Sequence, residues 1–432
     1  MILKYPDKTI YVGKAEYVFY FLVIIFLGSA MVLTRNSLEA FGGSDVTTVV
    51  AKAFMFVFAI HLFNKHGNSF RTSIPWNIVA VLFIWALLQF IKYKFFSSYA
   101  LMRLMNLFFT VVIIKVYGTK NIYFFEYVVS KLSAISLIGW GLVLLMPDVM
   151  LDLASLSPLE EYGLVQNGSF FVFGIADNDL GGIRRNLGFA WEPGRFGSIL
   201  CIGLFFNLIA YKFKIKGNKH FWYILIAILS SQSTTAYMSM IFVLCVYLYN
   251  KRRDVFFKLL PIFIILFLIL ASLEFMGEKI QSLWLTEEHA LEWEKQLDYY
   301  STQDGELVPQ RFDGLLYEFM NILHDPLIGN ASDQISYLYS IFRIKFSLCN
   351  GCLRIFANMG IIMGILYYIM LYKSSVYLKS IFQYKGTWAW LILFILINIS
   401  YSWIFEPVFL GVILLYMYDK STFYRSARVR LK

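Results

Sequence analysis

The sequence predicts an all-α integral membrane protein of about twelve transmembrane helices, with one large outer loop between the ninth and tenth. Three observations carry this. Apolar residues make up 59% of the 432-residue chain and charged residues 15%, against about 45–50% and about 25% in soluble domains. The apolar residues gather into runs close to the roughly 20 that a helix needs to cross hydrocarbon. Lys and Arg cluster between alternate runs, as the positive-inside bias requires.

Twelve runs are expected as spans: Tyr17–Thr34, Val46–Phe63, Ile74–Ile91, Tyr99–Tyr117, Glu126–Met146, Leu187–Tyr211, Phe221–Ser231, Thr235–Tyr249, Phe256–Met276, Gly351–Tyr372, Trp388–Tyr401 and Phe405–Tyr418. The seventh is short. The last two are short and separated only by Ser402–Ile404, so a re-entrant pair is the alternative. Placing the N-terminus inside puts cationic groups such as Lys4, Lys8 and Lys14, Lys212–Lys219, Lys251–Arg253 and Arg425–Lys432 all on one side. Both termini are then cytoplasmic. The first span is long enough to act as an uncleaved anchor, although Gly28-Ser29-Ala30 mimics a processing site.

The chain is expected to form one polytopic domain over residues 1–432, with long outer loops at 147–186 and 277–350. The second holds twelve acidic and five basic residues. Within it, Glu287–Glu294 looks like a solvated amphipathic helix. Phe312–Leu323 repeats its apolar positions at 3.6 residues, a face suited to lying on the bilayer or capping the bundle.

Several functional classes lack support. The net charge of +10 is spread between spans, so a nucleic-acid partner is not expected. Cys349 and Cys352 form a lone C-x-x-C without a histidine cluster, which argues against a metal site. His61, His66 and His220 fall at inner ends and are expected to be solvated. No phosphate-binding loop, zinc-protease motif or nucleophile elbow is present.

Charges beside spans are costly and point to function. Arg184, Arg185, Glu192 and Arg195 enter the outer end of the sixth span, among Gly188, Pro193, Gly194 and Gly197. Such an irregular helix start exposes N–H groups to an anion, and arginine forks match phosphate oxygens. The alternative is an internal Glu192–Arg195 pair at i, i+3. Ser230–Thr235, including Ser231 and Thr234, could offer hydroxyls to phosphate or sugar, or merely cap a turn. Arg311, Arg343 and Arg354 are expected at the same face, or else as snorkelling charge. Asn350 opens the tenth span, and Glu406 is a second carboxylate at that face. Arg103 and Lys52 are expected to pair internally.

With these motifs in place, the chain resembles the O-antigen polymerase/ligase (Wzy/WaaL-like) family. The likeness runs from Arg184 to Tyr372. It rests on Arg185…Gly188-Phe189…Glu192-Pro193, on Ser231-Gln232-Ser233-Thr234-Thr235-Ala236, on Arg311 with its amphipathic helix and Pro326-Leu327-Ile328-Gly329, and on Asn350-Gly351-Cys352-Leu353…Gly360-Ile361-Ile362. Ligases of the family carry His-Asn where this chain has Cys349-Asn350. That departure favours a repeat-unit polymerase and leaves the catalytic base unassigned.

The resemblance implies a GT-C-like glycosyltransferase of the bacterial inner membrane acting on undecaprenyl-diphosphate-linked oligosaccharide. It would extend a surface polysaccharide (O-antigen or capsule), with membrane lipids and a chain-length regulator protein as partners and no cofactor. Arginines would then stabilise the leaving diphosphate without metal, because no carboxylate cluster suited to Mg²⁺ is visible; Asp177 and Asp179 stand alone beside Asn178. Glu192, Arg195 and Arg311 are the expected catalytic residues. Arg184, Arg185, Arg343, Arg354, Asn350, Glu406, Ser231 and Thr234 are expected to bind substrate. A flippase for lipid-linked oligosaccharide is the rival from another class.

Overall fold

The computed structural model describes residues 2–27, 44–68, 73–94, 98–155, 167–170, 173–180, 183–190, 192–272, 306–307, 311–330, 345–346 and 350–418. A hairpin of β1 (Ile2–Tyr5) and β2 (Lys8–Tyr11) precedes helices α1 (Lys14–Leu27), α2 (Ser44–Lys65), α3 (Trp76–Tyr93), α4 (Ser98–Tyr117), α5 (Lys120–Leu145) and α6 (Pro147–Ser155). An antiparallel meander of β3 (Asn167–Phe170), β4 (Phe173–Leu180) and β5 (Ile183–Gly188) follows. The chain continues through α7 (Pro193–Ala210), α8 (Lys219–Ser230), α9 (Thr234–Lys251) and α10 (Arg253–Ser272). The last elements are β6 (Glu306–Leu307), α11 (Arg311–His324), β7 (Lys345–Phe346), α12 (Gly351–Phe382), α13 (Ala389–Asn398) and α14 (Pro407–Tyr418).

The protein is mostly helical, and four described helices are long and apolar enough to cross a membrane: α3, α5, α7 and α12. Their surroundings differ. The apolar window of α7 is 94% buried and that of α3 only 6%, so α7 is the axis of the bundle and α3 its rim. Phe83, Ile84 and Leu87 of α3 are openly exposed. An apolar surface of that extent is matched by lipid rather than water.

Two expectations need correction here. The segment 147–186, expected as a long outer loop, carries α6 and the meander, so the fold is not purely α. Its Gly, Asn and Asp content hides the strands from propensity. The tenth span also continues to Phe382 and is broken at Gly360 (φ 77°, ψ 169°). Only glycine holds that conformation readily. A Cβ there would lie 2.0 Å from the Leu327 carbonyl oxygen. Gly360→Ala is therefore expected to lower stability by at least the about 1–3 kcal/mol of backbone strain, read as a fall in melting temperature in detergent. An unchanged melting temperature would mean that the break is not held in place by Leu327.

Segments assigned by charge alternation to the inner side touch one another at one end of the bundle. Asp7 pairs with Lys212, Glu16 with His66, and Asn250 Nδ2 donates to the Lys385 carbonyl at 3.1 Å. At this end His220 is not solvated as expected. Its Nδ1 lies 2.8 Å from Oε1 of the fully buried Glu126, which also accepts from Asn207 Nδ2 at 2.8 Å and from the Tyr5 hydroxyl at 2.6 Å. A buried carboxylate persists only when its oxygens are satisfied. Tyr5→Phe removes one donor and is expected to cost about 1.5–3 kcal/mol, measured by thermal unfolding. Loss of less than a few tenths would show that the hairpin does not clamp this end.

Candidate functional site

At the opposite end of the bundle, four segments far apart in sequence meet. The first is the entry to α7. Glu192 is extended (φ −143°, ψ 141°) and Pro193 occupies the first helical turn, where its missing N–H costs nothing. The Glu192 carbonyl accepts from Phe196 N at 3.1 Å. This start turns Arg195 toward the linker between α13 and α14. There its guanidinium lies 4.3 Å from the Trp403 ring centroid, and Nη2 is 3.8 Å from Glu406 Oε1. The Arg195 side chain is 14% exposed, so stacking and charge attraction act where water screens them less.

The second segment is the turn between α8 and α9. Arg185 Nε donates to the Ser231 carbonyl at 3.3 Å and Nη2 to the Gln232 carbonyl at 3.0 Å. The fork thus holds a turn in which Gln232 takes φ +48°. Ser233 caps α9, its side chain accepting from Ala236 N. Gly197 lets α7 approach closely: a Cβ there would sit 2.4 Å from that of Ala236. Thr235 Oγ1 and Ser400 Oγ are 2.7 Å apart, tying the turn to the α13–α14 linker.

The third segment is the start of α12. Asn350 is buried; its Oδ1 accepts from Leu353 N at 3.0 Å and its Nδ2 donates to the Ile399 carbonyl at 3.3 Å. The fourth is the 399–406 linker itself. Asn398 Oδ1 accepts from Trp403 N at 2.8 Å, and the buried Arg103 places its guanidinium 5.3 Å from the Phe405 ring.

The expected residues therefore divide. Arg185, Arg195, Glu406, Asn350 and the Ser231–Thr235 turn are linked through these contacts. Glu192 and Arg354 stand half-buried on the α7 and α12 entries, and Thr234 half-buried at the start of α9. Arg184 is half-buried beside Arg185, its carbonyl accepting from Trp140 Nε1 at 2.7 Å. Arg311 is the first residue of α11, with its side chain outside the described residues, and Arg343 lies outside them altogether. Two roles move from ligand to scaffold. The Ser231 hydroxyl is buried and donates to its own helix at the Ile228 carbonyl, 2.7 Å away. The Asn350 amide is spent at both ends.

Sequence reasoning missed Trp403 and expected for Arg103 only an internal partner. An aromatic between two apolar runs, three residues from a carboxylate, is the signal that could have singled out Trp403. Trp403 Nε1 and Gln232 Oε1 are buried and without a hydrogen-bond partner among the described residues.

What the arrangement can do follows from charge. Arg103, Arg185 and Arg195 crowd one end, with Glu406 beside Arg195. Cations preorganised in a partly dry site favour an anion that develops charge as it leaves. No family model, curated protein or solved structure matches the chain.

Proposed function

We propose that the protein is a metal-independent membrane glycosyltransferase that joins undecaprenyl-diphosphate-linked oligosaccharide repeat units into a surface polysaccharide. The observation that carries this reading is the convergence of Arg185, Arg195 and Glu406 at one end of an apolar bundle. A cationic, partly buried site at a membrane-spanning helix start suits a substrate with an anionic head and a hydrocarbon tail. The resemblance of the same segments to the O-antigen polymerase/ligase family supplies the reaction.

In that reaction a hydroxyl oxygen of the acceptor unit attacks the anomeric carbon of the donor. The bond from that carbon to the diphosphate oxygen breaks, its electron pair leaves with the lipid diphosphate, and the hydroxyl proton passes to a base. Arg195, its guanidinium over the Trp403 ring, meets the growing negative charge. Glu406 orients Arg195, and Glu192 stands at the same helix start. Twelve spans, cytoplasmic termini and an outward-facing site in the bacterial inner membrane belong to the same proposal.

The test is the surface glycan of a deletion strain. The polymerase reading expects single repeat units capping the lipid core. Complete loss of surface glycan, with polymer accumulating on its lipid carrier, would assign a ligase instead. Intermediates confined to the inner leaflet would assign a flippase. Topology is tested separately on a background without native cysteines. A cysteine at Gln303 should be labelled from outside intact cells, and one at Lys216 should be spared; labelling of position 216 would reverse the map.

A further inference from the structure

We propose that Arg311–Asn330, in the segment expected to be an extramembrane loop, re-enters the bilayer and turns the apolar face of α11 to lipid acyl chains. This rests on the membrane placement of the bundle and not on the glycosyl-transfer reading.

Much of α11 is inside-out, although Ile322 is buried and His324, its last residue, is exposed. Glu318 and Asn321 are each 2% exposed and Asp325, just beyond the helix, 6%, whereas Phe319 is 49%, Leu323 65% and Leu327 63% exposed. An amphipathic helix on a water-facing surface does the reverse. A helix that turns carboxylates inward and large apolar groups outward is solvated by hydrocarbon. Its outward face adjoins that of α12, against which it packs and where Ile362 and Ile365 are each 50% exposed.

Depth is fixed from two helices independently. The turn after α11 docks on the break in α12: Ile361 N donates to the Pro326 carbonyl at 2.7 Å and Asn330 N to the Ala357 carbonyl at 2.8 Å. Gly360 is nine residues past Gly351, about 14 Å along a helix at 1.5 Å per residue. On α3, the Ile328 carbonyl accepts from Gln89 Nε2 at 2.9 Å and Trp85 Nε1 at 3.2 Å, and the Gly329 carbonyl from the Tyr93 hydroxyl at 2.9 Å. Trp85 and Gln89 lie eight and four residues before the end of α3, about 12 and about 6 Å by the same rise, and Tyr93 is the end itself. The break at Gly360 and the Trp85 and Gln89 contacts put Pro326–Ile328 inside the helix ends, with Gly329 at the rim beside Tyr93.

Irregular backbone survives at such depth only where protein satisfies it, and that is what these donors do. Gln89 Nε2 reaches the Asn358 carbonyl as well, at 2.8 Å, closing the gap left by the broken helix. Lys92 pairs with Asp325, so the inward carboxylate is not left alone.

The experiment places a nitroxide on a cysteine at Leu323 or Leu327, in protein otherwise free of cysteine. The labelled protein is reconstituted into phosphatidylethanolamine–phosphatidylglycerol vesicles. Collisions with lipid-soluble oxygen are compared with collisions with a water-soluble nickel chelate. The ratio at both positions is expected to match a label at Ile84 on the outer face of α3, and to exceed that at Lys216 in the α7–α8 loop. Chelate collisions at 323 and 327 equal to those at 216 would put the helix in water. Protection from both probes would mean that a protein surface, a second copy included, covers it. Either result overturns the proposal. Both sites are exposed, so the labels leave the packed face intact, and each position is an independent reading.

Discussion

Arg195→Ala is expected to lower glycosyl-transfer turnover by about 10- to 150-fold, the equivalent of the about 1.5–3 kcal/mol carried by a charge-assisted hydrogen bond. Arg195→Lys is expected to recover only part of that loss. The reason lies under the guanidinium. Arg195 is stacked at 4.3 Å on the fully buried Trp403 and bordered by Glu406 at 3.8 Å. A planar guanidinium there can present two parallel N–H bonds to phosphate, while an ammonium offers a point charge that does not fork. Trp403→Leu should reproduce the deficit of the lysine variant with Arg195 still present, because the arginine loses its platform. The measurement is steady-state turnover of purified protein on lipid-linked repeat units, with protein abundance and melting temperature as controls. Normal turnover by the lysine variant would reduce Arg195 to a topological charge.

What the sequence could reveal of this site was chemistry at span ends, and what it could not was which ends meet. Arg185, Arg195, the Ser231–Thr235 turn, Asn350 and Glu406 are all legible as polar groups beside apolar runs. Nothing in a hydrophobic period ties Arg195 to Glu406, more than two hundred positions later. That pairing depends on Gly197 letting α7 and α9 close up, and on the linker after α13 being folded back by Asn398 onto Trp403 N.

The predominantly helical fold was legible for the same reason that the contacts were not, since composition and period are local. The break at Gly360 was invisible because an isolated glycine in a helical pattern is usually tolerated. Here its cause is non-local, the approach of Leu327. The 3.6-residue period from Phe312 to Leu323 coincides with α11 (Arg311–His324), but a period does not say which face is wet. The burial of Glu318 and Asn321 beside the exposed Phe319 and Leu323 is a tertiary fact that no period carries.

Glu192→Gln and Glu406→Gln are expected to separate the base from the organiser. General-base assistance is typically worth about 10²–10⁴-fold, so the variant that removes the base should lose that much turnover while still binding lipid donor. The geometry divides the candidates. Glu406 lies against Arg195, and a carboxylate engaged with a guanidinium fixes the cation's orientation. Glu406→Gln is therefore expected to weaken donor binding and turnover together. Glu192 is the residue before Pro193, extended and half-buried at the same helix start, whereas Glu406 is already committed to Arg195. It is the better placed of the two to accept the hydroxyl proton, and Glu192→Gln is expected to show the larger loss with donor affinity retained. Donor binding measured by protection from thermal unfolding, set beside turnover for each variant, distinguishes them. If Glu192→Gln binds donor poorly and Glu406→Gln binds it normally, the two roles are exchanged. If Glu192→Gln turns over at the wild-type rate, Glu192 is not the base and only the organising role of Glu406 survives.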